Sequence, residues 1–276
     1  MRPGLALPGT DGGWHGLEPD LCRAMAVALV GPEGRARFQS HGAPNDPRAP
    51  APAEDVAFLT ASEMLARGHL ERSLPGPTVY ILTHAVAVAG ASSVRHLADL
   101  GSALVCVEPG TGTERALDEF IRVHAMPARM FMFQEDEERQ DAFWGGRCDA
   151  IAGEAPSLAA MAARAPRGQR MRLLPEPFAA VPVYAVTPTD DARWASVVAW
   201  TVHTVMAHDG DAPERLPLDL TALGLAPDWQ ARVIAAVGTY ADIFARELGD
   251  RSGLALPRGL TASWREGGAS VPPWTE

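Results

Sequence analysis

The stretch from Leu104 to Glu154 constrains the fold of this chain more than any other. Leu104-Val105-Cys106-Val107 is a short apolar, β-branched run with the character of a buried strand. Residues 108–114 are rich in turn formers and lead into a helix predicted over Arg115–Ala125. A second strand is predicted near Arg129–Gln134 and a second helix over Asp136–Phe143. Gly146–Glu154 then reads as a third strand that delivers a carboxylate at its end. Two βα units in a row belong to a layered α/β architecture, which places ligand contacts at helix starts and strand ends.

The rest of the chain alternates in the same way. Residues 1–17 read mostly as loop, with Leu7 in a short starting strand. A helix over Leu17–Val30 has Pro19 and two acids in its first turn and stops at Gly31-Pro32. Short strands are expected over Arg35–His41 and Asp55–Thr60. Between them, the four prolines of residues 42–52 argue for a loop. Ser62–Arg67 predicts a helical turn, Thr78–Ala89 a long buried strand, and Ser93–Leu100 a short helix. Val181–Thr187 is a further strand. Long helices are expected over Asp190–His208 and Asp228–Leu248, the second with a candidate break at Gly238, and the tail from Leu254 is loop-like. A crossing near Gly90 and a return near Val181 divide the chain into two α/β lobes, residues 1–90 plus 181–276 and residues 91–180. A ligand is expected between them.

Of the 276 residues, 47% are hydrophobic and 21% charged, which suits a substantial core. The formal net charge of −10, with no run of Lys or Arg, argues against nucleic acid and anionic membranes as partners. No apolar stretch approaches the roughly 18 residues of a membrane-spanning helix. The N-terminus lacks the apolar core of a signal peptide, so the chain is either cytoplasmic or numbered from after processing or truncation. Three cysteines do not make a disulfide framework. Cys106 and Cys148 sit on two strands of one βαβ region and are either a pair or two small buried hydrophobes, and Cys22 stands apart. His15, His41, His69, His84, His96, His124, His203 and His208 show no HxH or HExxH spacing, so no metal is expected. No cofactor motif is present either. Glu135-Asp136-Glu137-Glu138 reads as a helix start, and the Trp residues near 194–200 and at 264 read as packing residues.

Leu104–Glu114 and Gly146–Glu154 resemble the second lobe of the periplasmic amino-acid-binding proteins of ABC transporters, most closely the general L-amino-acid type. That family carries a VCVxxGTTTE helix start and a GRCDAYTTD strand end. Further resemblance lies in Gly16–Ala24, in Asp228–Phe244 and in Arg258–Gly268. The resemblance covers nearly the whole chain and is weak from residue 32 to 80. It implies a two-lobed α/β fold of the type II periplasmic-binding-protein kind, with two mixed sheets flanked by helices and joined by two hinge strands. It also implies a Cys106–Cys148 disulfide, a periplasmic location, a permease partner, a monomer and no membrane insertion. The family's partner for Cys22 would lie on a first strand that this chain starts too late to include.

A free amino acid needs a cation for its carboxylate and a carboxylate for its ammonium. The resemblance puts Arg67 at the family's carboxylate-binding Arg, with Thr60 and Ser62 beside it, and Glu154 at the ammonium-binding Asp. The plain alternatives are a solvated Arg67 and a turn residue at Glu154. Gly110, Thr111 and Thr113 stand at a helix N-terminus, whose free N–H groups favour an anion such as an α-carboxylate. Ordinary capping by Thr111 or Thr113 is compatible with that. Three departures follow: Gly112 replaces the family's middle Thr, Glu63 stands where an aromatic residue commonly covers the ligand, and the Pro-rich stretch 42–52 replaces the family's lobe-one helix before the strand. Glu63 therefore either selects a polar or cationic ligand side chain or marks a pocket that has left amino acids. The expected function is capture of an amino-acid-like ligand for uptake. The alternatives are an enzyme on the same fold, similar to the cyclohexadienyl dehydratases, and a binding protein recruited to a role outside transport.

Overall fold

The turn-rich start of the chain makes a small hairpin, β1 (Leu7–Pro8) pairing antiparallel with β2 (Trp14–His15). The computed structural model describes residues 2–39, 54–66, 72–207 and 219–270. Helix α1 (Leu17–Val30) follows, with Glu18 and Asp20 in its first turn, where the helix dipole favours them. The strand expected from Arg35 does not form over residues 35–39. Phe38 packs instead against the ring of Trp14 and beneath Arg23, so side-chain anchoring replaces strand pairing there.

β3 (Ala57–Thr60) runs directly into α2 (Ala61–Ala66). β4 (Ser73–Ala89) starts earlier than the apolar run suggests. It tolerates Pro75 and Pro77 because residues two apart lose their N–H on the same side of a strand. The helix expected over Ser93–Leu100 shrinks to a 3-10 turn over Leu97–Leu100, because His96 and Asp99 close a reciprocal cap at its start. β5 (Leu104–Val107) matches the sequence reading. α3 (Gly112–Val123) begins three residues before Arg115, because the Thr111 hydroxyl accepts from the Glu114 N–H and sets the cap there. β6 (Arg129–Met132) and α4 (Asp136–Trp144) follow, the acidic run opening α4. β7 (Ala150–Glu154) starts later than Gly146, since the Gly146 and Arg147 N–H groups bond back to Phe143 and Ala142 at the end of α4.

α5 (Ala155–Ala163) and β8 (Met171–Leu173) have no counterpart in the sequence reading. β9 (Ala179–Pro188) leads to α6 (Ala192–Ala207). The long helix expected over Asp228–Leu248 is two helices, α7 (Trp229–Val237) and α8 (Tyr240–Glu247). Gly238 breaks it with φ +85°, and Thr239 and Asp242 form a capping box that starts α8. Trp264 is not a core residue; it is 46% exposed, with the Arg265 guanidinium over its ring.

The chain divides into two compact units. Unit 1 comprises Met1–Ile81, Pro182–Ser252 and Pro257–Glu276, and unit 2 comprises Leu82–Val181 and Gly253–Leu256. The chain leaves unit 1 within β4 and returns within β9.

Unit 1 has β3 antiparallel to β9, with Thr60 opposite Val183, and a helical core. Leu17, Leu21 and Met25 of α1 are buried, as are Val198 and Val202 of α6, Trp229 and Val233 of α7, and Ile243 and Phe244 of α8. Asp20, also buried, receives Arg23 at 2.6 Å and the guanidinium of Arg246. The Tyr240 hydroxyl donates to the Val79 carbonyl at 2.6 Å, and the Ile81 N–H donates to the Thr261 hydroxyl at 3.1 Å. These bonds tie α8 and the C-terminal segment to the unit 1 end of β4.

Unit 2 is a mixed sheet with two cores. β5 is parallel to β6 and β7, and β4 is antiparallel to β7 and β8. Strand alternation sorts its residues by face. Ala85, Ala87, Cys106 and Ile151 pack with Phe143, Leu158 and Met161 on the α4–α5 side. Val86, Val88, Val105, Val107, Ala150 and Ala152 pack with Leu117 and the Leu97–Leu100 turn on the α3 side. Cys106 and Cys148 form a disulfide within the first of these cores.

Candidate functional site

In unit 2 the candidate residues gather at one end of the sheet because β5 and β7 run parallel and both end there. β7 ends on Glu154, which is half-buried and opens α5 without lending its side chain as a cap. α3 starts beside it. Gly110 turns with φ +76°, the Thr111 hydroxyl donates to the Glu108 carbonyl at 2.8 Å, and Glu114 reaches back to take the Gly110 N–H at 2.6 Å. The N–H groups of Gly112 and Thr113 open the helix, where the ladder supplies no partner. A Cβ added to Gly112 would meet nothing within 4 Å, so the missing Thr leaves open space.

One further residue belongs to this group, and the sequence reading passed over it. His84 on β4 stands directly opposite Glu154 on β7. Opposite residues of an antiparallel pair share a sheet face. Here that is the α3 face, as the alternation of Val86 and Val88 with Ala150 and Ala152 requires. His84 Nδ1 lies 2.8 Å from Thr113 Oγ1, and both side chains are buried. Phe178 lies against the imidazole, with its N–H on the His84 carbonyl at 2.9 Å. The available signal was a histidine inside an otherwise apolar strand, a place where burying a polar ring requires a partner.

In unit 1, Thr60, Ser62 and Glu63 come together at the junction of β3 and α2. Glu63 accepts from the Thr60 N–H at 2.8 Å and the Thr60 hydroxyl at 2.9 Å, and the Glu63 N–H donates to that hydroxyl at 3.3 Å. This is a capping box, legible as Thr-Ala-Ser-Glu. Ser62 Oγ lies 3.1 Å from Thr60 Oγ1. The second carboxylate oxygen of Glu63 receives Arg2 at 2.7 Å. Burial works against the Glu63 charge, but Arg2 and the two Thr60 donors outweigh it and hold the carboxyl below the usual range. Both oxygens of Glu63 therefore serve the protein's own framework. Arg67 lies outside the described residues.

Among the described residues no His, Cys, Asp and Glu cluster is placed to hold a metal ion. No helix among them is long and apolar enough to cross a membrane. An open cavity of about 860 Å³ lies within unit 2 at the opposite end of its strands, lined by Val88, Ser92, Ala103, Trp144, Asp149 and Arg170 among others.

No protein-family model matches the chain. In sequence it is 26% identical over 293 residues to the general L-amino acid-binding periplasmic protein AapJ of Rhizobium johnstonii, covering 98% of this chain and 86% of that one. It is 25% identical, with the same coverage, to the glutamate/glutamine/aspartate/asparagine-binding protein BztA of Rhodobacter capsulatus. In structure it matches an ABC transporter periplasmic binding protein from Brucella ovis with glutathione bound, with a TM-score of 0.76 and 26% identity, over 99% of this chain and 93% of that one. The fold is that of the two-lobed periplasmic binding proteins. In sequence the chain is a relative, at modest identity over nearly its full length, of the amino-acid-binding proteins of ABC transporters.

Proposed function

We propose that this protein captures a ligand with a free α-amino-acid head, an L-amino acid or a small peptide such as glutathione, and presents it to an ABC-transporter permease in the periplasm. One observation carries the reading: unit 2 places the Glu154 carboxylate and the opening N–H groups of α3 at the same end of one sheet. A zwitterionic head needs those two opposite polarities. We assign Glu154 to the ammonium and the N–H groups of Gly112 and Thr113 to the carboxylate, with Gly110 and Thr111 shaping the turn that presents them. Within unit 1, taken by itself, Ser62 and Arg67 are the contacts we assign, because Glu63 takes both the Thr60 N–H and the Thr60 hydroxyl proton and so holds Thr60 to the framework. The relatives that bind amino acids and the glutathione-bound neighbour support a ligand of this class. The Cys106–Cys148 disulfide supports an oxidising compartment. We assign a monomer whose ligand-bound state docks on the permease, that state being favoured by the ligand's differential affinity for it.

Calorimetric titration with L-glutamate, L-glutamine, L-arginine and glutathione tests this reading. Saturable one-to-one heat with at least one is expected. No heat from any of them, with folding verified by circular dichroism, would overturn it.

A further inference from the structure

The contact between His84 and Thr113 carries an inference about how the ligand's carboxylate is received, and it rests on the reading above. Thr113 has one hydroxyl proton. If His84 Nδ1 lacked a proton, that hydroxyl would donate into the imidazole, and only oxygen lone pairs would remain to face an anion. If Nδ1 carries the proton, it donates to Thr113 Oγ1, and the threonine O–H is left to donate outward beside the N–H groups of Gly112 and Thr113. Three donors would then converge at the start of α3.

We infer that His84 is a positioning residue for ligand binding: its Nδ1–H fixes Thr113 as a donor toward the ligand carboxylate. Three observations support this assignment. The Nδ1 to Oγ1 distance is 2.8 Å, and both side chains are buried, so the rotamers are set by packing. Phe178 backs the imidazole on the same side of the sheet as α3. Glu154 is the direct cross-strand neighbour of His84, so the residue that orients the carboxylate donor stands beside the group assigned to the ammonium. Thr113 is then not a capping residue in the ordinary sense, since Thr111 already caps α3 through the Glu114 N–H. That frees the second threonine hydroxyl for His84.

Asparagine places its amide where Nδ1 lies, whereas glutamine reaches to the Nε2 position. His84→Asn should stay within about threefold of the wild-type affinity for whichever of L-glutamate, L-glutamine, L-arginine or glutathione binds. His84→Gln and Thr113→Val should each lose about ten- to hundredfold, the range for one charge-assisted hydrogen bond. Two-bond ¹H–¹⁵N spectra of histidine-labelled wild-type protein, with and without that ligand, should show the His84 Nδ1 protonated in both states. An Nδ1 without its proton, or equal losses in His84→Asn and His84→Gln, would overturn this inference while leaving the binding reading intact. Absence of binding by the wild-type protein to all four probes would overturn both.

Discussion

Glu63 and Arg2 form an ion pair at 2.7 Å between the start of the chain and the first turn of α2. The same carboxylate closes the capping box with Thr60. The residue that stands where an aromatic ligand cover was expected is thus a fastening within unit 1. It anchors the N-terminus 61 residues away in sequence and keeps the end of β3 in register with the helix that follows.

Glu63→Gln should destabilise the protein by about 1–2 kcal/mol at pH 7, from the loss of the ion pair and the weakening of the box. The carboxyl is held below its ordinary value, so its contribution is fully present above about pH 4.3 and is lost as pH falls through the depressed folded value. Wild type and Glu63→Gln should therefore differ at neutral pH and converge in acid. Thermal melts of both proteins across that window check the sign, and a gap that widens on acidification would contradict the assignment.

The Cys106–Cys148 disulfide joins β5 to the turn before β7 across 42 residues and lies in the α4–α5 core of unit 2. The chain-entropy estimate for a loop of that length is about 4 kcal/mol, and measured values are commonly 2–4. Replacing both cysteines with alanine should lower the unfolding free energy by about 2–4 kcal/mol. The wild-type protein with reductant should lose a comparable amount. Denaturant titrations monitored by circular dichroism read both. Alanine variants as stable as the oxidised protein would show the bond to be dispensable.

Gly238 breaks α7 from α8 at φ +85°, and a Cβ there would approach Asp242 Cβ to 2.8 Å. Asp242 holds the Thr239 N–H and hydroxyl, so the clash would also disturb the capping box that starts α8. Gly238→Ala should cost about 1–3 kcal/mol. Gly253→Ala is the control: its Cβ would meet nothing within 4 Å and its φ is not positive, so a change below about 0.5 kcal/mol is expected. Equal effects of the two substitutions would remove the argument from backbone conformation.

The regularity of unit 2 made it legible. Its strands are covered on both faces, so Leu104–Val107 reads as a short continuous apolar run bounded by turn formers, and the end of β7 at Glu154 as the carboxylate that closes another. α5 escaped because Glu154 also reads as a turn residue, although the proline that follows at 156 is well accommodated in a helix's first turn. The two contacts that most change the reading of the site, Arg2 with Glu63 and His84 with Thr113, join residues 61 and 29 positions apart. Local propensity carries no information about such pairs. The capping box itself is written in the sequence as Thr60-x-x-Glu63, a local pattern that needs no ligand at Glu63.

Glu154 carries the sharpest prediction for function. It is half-buried at the end of β7, opposite His84, and α5 takes no cap from its side chain. Glu154→Gln keeps the shape of the residue and removes the charge that would hold an ammonium group. A charge-assisted hydrogen bond contributes roughly 1.5–3 kcal/mol, so affinity for the amino-acid ligand should fall about ten- to hundredfold. Glu154→Asp should retain more of the affinity than Glu154→Gln, because it restores the charge one methylene short. Titration calorimetry gives the affinities, and a thermal melt of each variant separates loss of binding from loss of fold. Unchanged affinity in Glu154→Gln would mean that the ammonium is held elsewhere, and the pairing of this carboxylate with the α3 N-terminus would have to be abandoned as the head-group site.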